Sequence, residues 1–361
     1  MKGKFDKEKK KHPVLKVILI VLLILLLLVL TLVGLAYGYY RSKINMLQQD
    51  TPVTGTLSTQ DEIEINSNAE EYAEEILNVL DSETLPNIEV TEATTPVKED
   101  DDVINILLIG TDDHGKQFST NARGDSCMLF SVNTSGDHPV ISLVSFERGM
   151  GVPILDGQYK GQWDWLTHTF RYGGAELMLR EIQECFKVDV DYYVRVNHRA
   201  FEAGIDAVGG VDVYLDQVEA VYFRNGFILP DAQVGINHLD GRVALCYARL
   251  REIDSDWQRI QRQREVIFAA LDQVKKMNLA EIDGLINELL GLVRTNLDED
   301  VITRLLLLAP SLLNAEFQQM TIPQKGTYGG MTGMGGRPLF AVDFETNARI
   351  LHEFIYPQLS E

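Results

Sequence analysis

From residue 103 onward the apolar positions fall into short blocks whose period alternates between that of strands and that of helices. "VINILLIG" (103–110) is a continuous apolar run of strand length, as a strand covered on both faces requires. "CMLFSVN" and "PVISLVSFE" flank the turn cluster "TSGDH" (134–138), which predicts a hairpin. "GGAELMLREIQECF" has helical spacing, and "DYYVRVN" returns to period two. "HRAFEAGIDAVGG" predicts a helix closed by glycines, followed by the short strand "VDVYL". Further helices are predicted near 279–292, 299–314 and 344–356, with a strand near 317–322. Strands and helices that interleave around one hairpin predict an α/β fold for residues 103–361, three layers (α/β/α) with a mixed central sheet.

The N-terminal pattern is different. Residues 17–40 contain no charge and follow the basic stretch "MKGKFDKEKKKH". A run of that length crosses a hydrocarbon core of about 30 Å at about 1.5 Å per residue. No small-residue cleavage site follows it, so it predicts an uncleaved transmembrane anchor. Lysines before the run place residues 1–16 in the cytosol and residues 41–361 outside the cell membrane. Residues 41–102 are rich in Thr, Pro and acids and predict a solvated extracellular stalk, with "AEEYAEEILNVLDS" as a short acidic helix within it.

Charge sharpens this division. The chain carries a formal net charge of −20, yet residues 1–49 hold nine Lys/Arg against two acids, and residues 50–102 hold sixteen acids against Lys98 alone. An acidic outer domain excludes nucleic acid as a general partner, since duplex binding needs a basic face. Cys127, Cys185 and Cys246 are widely spaced in apolar surroundings, which fits small core residues better than a disulfide framework or a zinc site.

Against this acidic background, Arg242, Arg249, Arg251, Arg259, Arg262 and Arg264 crowd one stretch. Asp240 suits the N-cap of a short helix over "GRVALCY". In an extended segment Arg249 and Arg251, two apart, project to the same side. Ser255 or Asp256 caps a longer helix whose apolar stripe holds Ile260, Ile267, Leu271 and Val274, with Val266 and Ala270 beside it. Asp256, Arg259 and Gln263 fall on that same inward side, whereas Arg262 and Arg264 are expected on a solvated face. Charges turned inward need partners. One reading is a set of salt bridges among Glu252, Asp254, Asp256 and the arginines. The other is an anion held at a helix N-terminus, with phosphate or pyrophosphate matching paired guanidinium donors.

A second polar group gathers where predicted strands end. "GTDDHG" and "ARGDS" place Asp112 or Asp113 together with Asp125, carboxylates suited to a hard cation such as Mg²⁺. Asp residues in turns also occur without any ligand. Arg148 sits where "ISLVSFER" emerges from the sheet. His168 and His198 are read as structural.

In this order, "NILLIGTD", "RGDSCML", "SLVSFERG", "LTHTFRYGG", "DYYVRVN", "AVGGVDV", "NHLDGRVALCYARLR" and "DWQRIQRQREV" resemble the LytR-CpsA-Psr family of cell-wall glycopolymer ligases. The resemblance implies a phosphotransferase that moves an anionic glycopolymer, of teichoic acid or capsular type, from a polyprenyl-pyrophosphate carrier to peptidoglycan. It implies pyrophosphate binding by Arg123, Arg148, Arg249, Arg251, Arg259 and Gln263. Metal ligation would fall to Asp125 with Asp112 or Asp113, and Asp256 would orient or deprotonate the acceptor hydroxyl unless it merely pairs with Arg259. A lipid tail would enter an apolar channel between sheet and helices.

Three positions depart from the family pattern. Glu147-Arg148-Gly149 stands for Pro-Arg-Asp, Trp165 stands for a lysine, and Arg123-Gly124-Asp125-Ser126 varies the usual Arg-Ser-Asp-Thr. Losing a cation and a carboxylate either alters substrate choice or weakens catalysis. Two other functions therefore stay open: a non-catalytic module that retains a lipid pyrophosphate to regulate wall assembly, and a polyprenyl-pyrophosphate hydrolase.

Overall fold

In the computed structural model, residues 38–39, 41–50, 69–82, 85–113, 118–119, 122–136, 138–312 and 314–356 are described. They belong to two units, Met1–Met46 and Leu47–Glu361, and everything below concerns the second. The expected anchor over residues 17–40 lies, but for residues 38–39, outside the described residues. Among the described residues no helix is long and apolar enough to cross a membrane.

The apolar run after residue 102 becomes strand β1 (Val103–Thr111). Its side chains alternate between two cores: Leu107 and Ile109 join one cluster, Ile104 and Ile106 another on the opposite face. Strands β2 (Gly124–Asn133) and β3 (Val140–Phe146) form the predicted antiparallel hairpin, with Cys127 opposite Phe146. Two short strands follow, β4 (Gly151–Pro153) and β5 (Trp163–Trp165), paired with each other.

Helix α1 (Ala69–Ser82) precedes the sheet, and α2 (Leu166–Phe186) follows β5. Then come β6 (Tyr192–Asn197), α3 (His198–Ala207), β7 (Val211–Leu215), α4 (Gln217–Asn225), β8 (Gly235–Leu239), α5 (Gly241–Arg249) and α6 (Asp256–Val274). The chain continues through α7 (Leu279–Leu290), β9 (Arg294–Thr295), α8 (Glu299–Leu312), β10 (Glu316–Ile322), β11 (Tyr328–Thr332), β12 (Pro338–Val342) and α9 (Phe344–Ile355).

The central sheet has six strands in the order β10-β3-β2-β1-β6-β9. β1 pairs with β6 in parallel and β3 with β10 in parallel, while the remaining pairs are antiparallel, so the sheet is mixed as expected. Phe170, Met178, Ile182 and Phe186 of α2 and Leu351 of α9 cover one face. Val301, Leu305 and Leu308 of α8 cover part of the other. β7 lies outside this sheet, paired with β8, and packs with α3 to α6 around Phe223, Tyr247 and Val266.

Two expectations need correction. Helix α2 starts before "GGAELM": Leu166–Tyr172 is already helical, and the chain kinks at Gly173 and Gly174 before resuming, with Gly174 at φ 70°. The stretch read as a solvated stalk is not solvated over α1. Tyr72 and Ile76, 6% and 1% exposed, belong to the main core and pack with Trp165, Phe340 and Val342 as neighbours in that cluster.

Candidate functional site

The sheet and the α3–α6 unit enclose a cavity of about 690 Å³. Its apolar wall comes from Leu108, Met128, Phe201, Tyr222, Ile228, Leu245 and Ile267. Asp112, Arg123, Asp125, Arg249, Arg251, Arg259 and Gln263 line the polar part of the wall. The half-buried Ile267 thus turns the stripe of α6 partly toward open space instead of toward packed core.

A bulge supplies the first carboxylate. β1 and β2 run in register until Gly110 faces Ser126, and Thr111 then faces Gly124, leaving Asp125 as the extra residue. Asp125 has loose contacts: Thr167 Oγ1 donates at 3.3 Å, and guanidinium nitrogens of Arg123 and Arg148 lie 3.7 Å away. Burial alone would raise its pKa, yet the combined field of Arg148, Arg123, Arg259 and Arg251 holds the carboxyl well below the usual range. Asp112 is held more tightly, accepting from the backbone N–H and from Nε of Arg123 at 2.8 and 2.9 Å. Asp113 turns elsewhere, to Arg195 at 3.4 Å and the Ser119 N–H at 3.0 Å. Of the two, Asp112 and not Asp113 lines the cavity with Asp125.

The arginine stretch folds largely as its periodicity demands. The Asp240 side chain accepts from the Val243 N–H and caps α5, and Ser255 precedes α6 with extended backbone. Arg249 is the last residue of α5 and not part of the expected extended segment, yet both it and Arg251 reach the cavity. On α6, Arg259 Nε lies 2.9 Å from Asp256 Oδ1, and its Nη2 donates to the Asp125 carbonyl at 3.2 Å. Gln263 Oε1 accepts from Ser126 Oγ at 3.1 Å. Asp256, Arg259 and Gln263 therefore share one face, as the helical period predicts.

The expectation of a solvated face for Arg262 and Arg264 is wrong. Arg262 is 5% exposed, with Nε 2.7 Å from Glu219 Oε1 and further bonds to Asp254 and the Leu250 carbonyl. Arg264 donates to Gln319, Ser145 and Thr321 along the β3–β10 edge. Helix α6 is covered on two sides, by α4 and α5 and by the sheet edge, so a single apolar stripe understates its buried surface.

Arg148 does not line the cavity. It is 5% exposed, with Nε 3.2 Å from Asp256 Oδ1, and its guanidinium carbon sits 3.6 Å from the centre of the Tyr72 ring. Burial opposes the charge on Asp256, but Arg259 and Arg148 outweigh it and keep the carboxyl below its ordinary pKa. Glu147 behaves oppositely. Buried at 1% exposure beside Asp256, its pKa is pushed well above the carboxylate range, and it accepts from the Tyr72 hydroxyl at 3.0 Å.

Sequence reasoning missed α1 as part of this site. Glu75 accepts from the Asp256 N–H at 2.9 Å, the first N–H of α6, and lies 3.5 Å from Arg148 and 3.8 Å from Arg251. Three of the unusual positions meet at Tyr72. Glu147 takes its hydroxyl, Trp165 stacks edge-on at 4.8 Å, and a Cβ on Gly149 would lie 2.5 Å from its oxygen. One docked helix accounts for all three. His168, 3.0 Å from Asp164 through Nδ1, is buried away from the cavity, whereas His198 lines it.

The model of the LytR_cpsA_psr family matches residues 62–348, so the match takes in α1, Asp112, Asp125 and every arginine that lines the cavity. The chain belongs to the LytR-CpsA-Psr family. Among its relatives, the polyisoprenyl-teichoic acid–peptidoglycan teichoic acid transferase TagU of Oceanobacillus iheyensis is 32% identical over 214 residues, covering 57% of this chain and 62% of TagU. The chain thus spans less than two thirds of that relative. Protein gbs0355 of Streptococcus agalactiae shares the fold with a TM-score of 0.59 at 21% identity, covering 70% of this chain and 86% of that one. A family structure, YwtF (TagT) with bound octaprenyl pyrophosphate lipid, superposes with a TM-score of 0.53 at 22% identity, covering 74% and 99%. Membership in the family and homology to teichoic acid transferases follow from the sequence, and the two structures support the fold.

Proposed function

We infer that this LytR-CpsA-Psr protein is a membrane-anchored, outward-facing phosphotransferase that moves an anionic glycopolymer from a polyprenyl-pyrophosphate carrier to a hydroxyl of peptidoglycan. The observation that carries the reading is the two-natured cavity: an apolar wall runs into arginines with fork geometry. Arg249, Arg251 and Arg259, with Arg123, would hold the pyrophosphate oxygens, and Gln263 would add a neutral donor. Arg148, behind the wall, keeps Asp125 and Asp256 ionised.

Asp125, whose polar partners sit no closer than 3.3 Å, has oxygens free for a hard cation, with Asp112 beside it. Among the described residues no cluster of three or more acidic, His or Cys groups forms a full protein cage. That donor set suits Mg²⁺, which binds through one or two carboxylates plus substrate phosphates. Bound there, Mg²⁺ would neutralise charge on the pyrophosphate. The arginines stabilise charge developing on the bridging oxygen as the lipid phosphate departs.

The test is turnover of a geranyl-pyrophosphate-linked sugar by the full chain in detergent, with Mg²⁺ or EDTA, and with or without peptidoglycan glycan strands. Sugar phosphate appearing on the glycan supports transfer. Free sugar phosphate alone would mean a hydrolase, and binding without turnover would mean a non-catalytic retention module. We expect Asp125→Asn to abolish the Mg²⁺-dependent part while leaving the melting temperature nearly unchanged. Equal losses of stability and turnover would make Asp125 a structural residue.

A further inference from the structure

Four carboxyl groups surround Arg148, and they are not equivalent. Asp256 is 4% exposed and locked between Arg148 at 3.2 Å and Arg259 at 2.9 Å. Glu147 is 1% exposed and occluded under Tyr72. Asp125 faces the cavity among arginines and belongs with the donor's phosphates. Glu75 remains: its side chain is 26% exposed, it stands outside the cavity lining, and its arginine contacts are long, 3.5 and 3.8 Å. Among the described residues its one short partner is the Asp256 N–H, which fixes it at the start of α6.

We propose that Glu75, contributed by the N-terminal helix, is the general base that activates the acceptor hydroxyl for the transfer inferred above. The assignment rests on that transfer reading. Arg251 lines the cavity on one side and touches Glu75 on the other, so a phosphoryl group held by Arg251 lies next to this carboxylate. Buried Arg148 pairs through Nε with Asp256 at 3.2 Å and through Nη2 with Glu75 at 3.5 Å, so one guanidinium orders both carboxylates behind the cavity wall.

The groups facing Glu75 are Asp256, Arg148, Arg251 and Arg259, with the Tyr72 hydroxyl nearby on its own helix. Burial first, then Asp256, raises the Glu75 pKa against the pull of the arginines. A carboxylate more basic than usual, yet open to solvent, is what proton abstraction from an alcohol needs. In the step itself, the acceptor O–H gives its proton to Glu75 and its oxygen pair forms a new bond to the sugar-bearing phosphorus. The bond from that phosphorus to the bridging oxygen breaks, and its pair leaves on the polyprenyl phosphate. Solvent then takes the proton from Glu75.

The experiment compares wild type, Glu75→Gln and Glu75→Asp as full chains in detergent, using the geranyl-pyrophosphate sugar and glycan strands. Glu75→Gln should lower kcat/KM for transfer by about a hundredfold or more, within the usual range for general-base loss. Its donor affinity should stay within about threefold and its melting temperature unchanged. In wild type kcat/KM should fall as pH drops through a value above the ordinary glutamate range, and the Gln variant should lack that limb. Glu75→Asp should restore part of the rate and the limb. Transfer by Glu75→Gln equal to or faster than wild type overturns the assignment, because Glu75 would then only compete with phosphate for Arg148 and Arg251. Wild type that binds donor but transfers nothing sinks the transfer reading instead, and this assignment with it.

Discussion

Adding one methyl group at Gly149 puts the docking of α1 to a quantitative test. An ideal Cβ there would lie 2.5 Å from the Tyr72 hydroxyl oxygen, 2.8 Å from Ile76 Cδ1 and 3.0 Å from Glu147 Oε2. The fold has two ways to respond. It can absorb the overlap, at about 1–3 kcal/mol for an overpacked core. Otherwise it releases α1 and exposes Tyr72 and Ile76, which costs about 1.5–3 kcal/mol for each large apolar side chain. The edge-on Tyr72–Trp165 contact at 4.8 Å is lost in that case too.

The cheaper response governs, so Gly149→Ala should destabilise by on the order of 1–3 kcal/mol. At about 2 °C per kcal/mol for a domain of this size, the melting temperature falls by roughly 2–6 °C. Gly284→Ala is the control: a Cβ there meets nothing within 4 Å, and α7 should gain up to about 1 kcal/mol from the better helix former. Thermal melts of both variants, with hydrogen exchange read at the α1 amides, make the measurement. If Gly149→Ala melts with wild type and α1 keeps its protection, the helix is not seated where described.

Glu181 is fully buried, and burial lifts its pKa to about 8 even though it accepts from the Leu155 N–H. Its folded pKa being the higher one, its contribution is complete below the ordinary glutamate range and is lost as pH rises through 8. Stability should therefore drop by up to on the order of 4 kcal/mol between about pH 5 and 8. Chemical denaturation of Glu181→Gln over that window should show the dependence gone, and an unchanged pH profile would refute the cause. Arg262→Lys should cost about 1.5–3 kcal/mol in stability by losing the Glu219 and Leu250 bonds, with donor affinity intact. Arg251→Lys should do the reverse, slowing turnover roughly ten- to hundredfold while melting within about 2 °C of wild type. Matched losses in both variants, in melts and assays alike, would mean that the two arginines play one role.

The legible parts of this chain are those governed by one periodicity at a time. β1, the β2–β3 hairpin, β6, α3 and the last two helices follow their apolar spacing, and the inward trio Asp256, Arg259 and Gln263 follows the turn of α6. The same wheel fails for Arg262 and Arg264 because α6 is enclosed from two directions, and a wheel assigns one inside. Strands β4, β5, β11 and β12 are three to five residues long, too short for a pattern to accumulate. Helix α1 is expected from the sequence, but its buried face is hidden by the acids around it. Tyr72, Ile76 and Leu80 recur every four residues within "AEEYAEEILNVLDS", and that stripe marks a buried face that average composition conceals.

The bulge between β1 and β2 lets one strand obey two rules. Below it, ladder positions alternate faithfully and serve the two cores. Strict alternation would give Asp125 the same facing as Cys127, toward α2. As the extra residue of the bulge, Asp125 reaches the cavity wall while its carboxylate still accepts from Thr167 of α2. Drift among the core residues of the strand then leaves the carboxylate where it is, and change at the carboxylate leaves the ladder intact. Scaffold and chemistry here can be inherited on separate terms, joined through a single irregular residue whose insertion, once acquired, costs the sheet one pairing and nothing more.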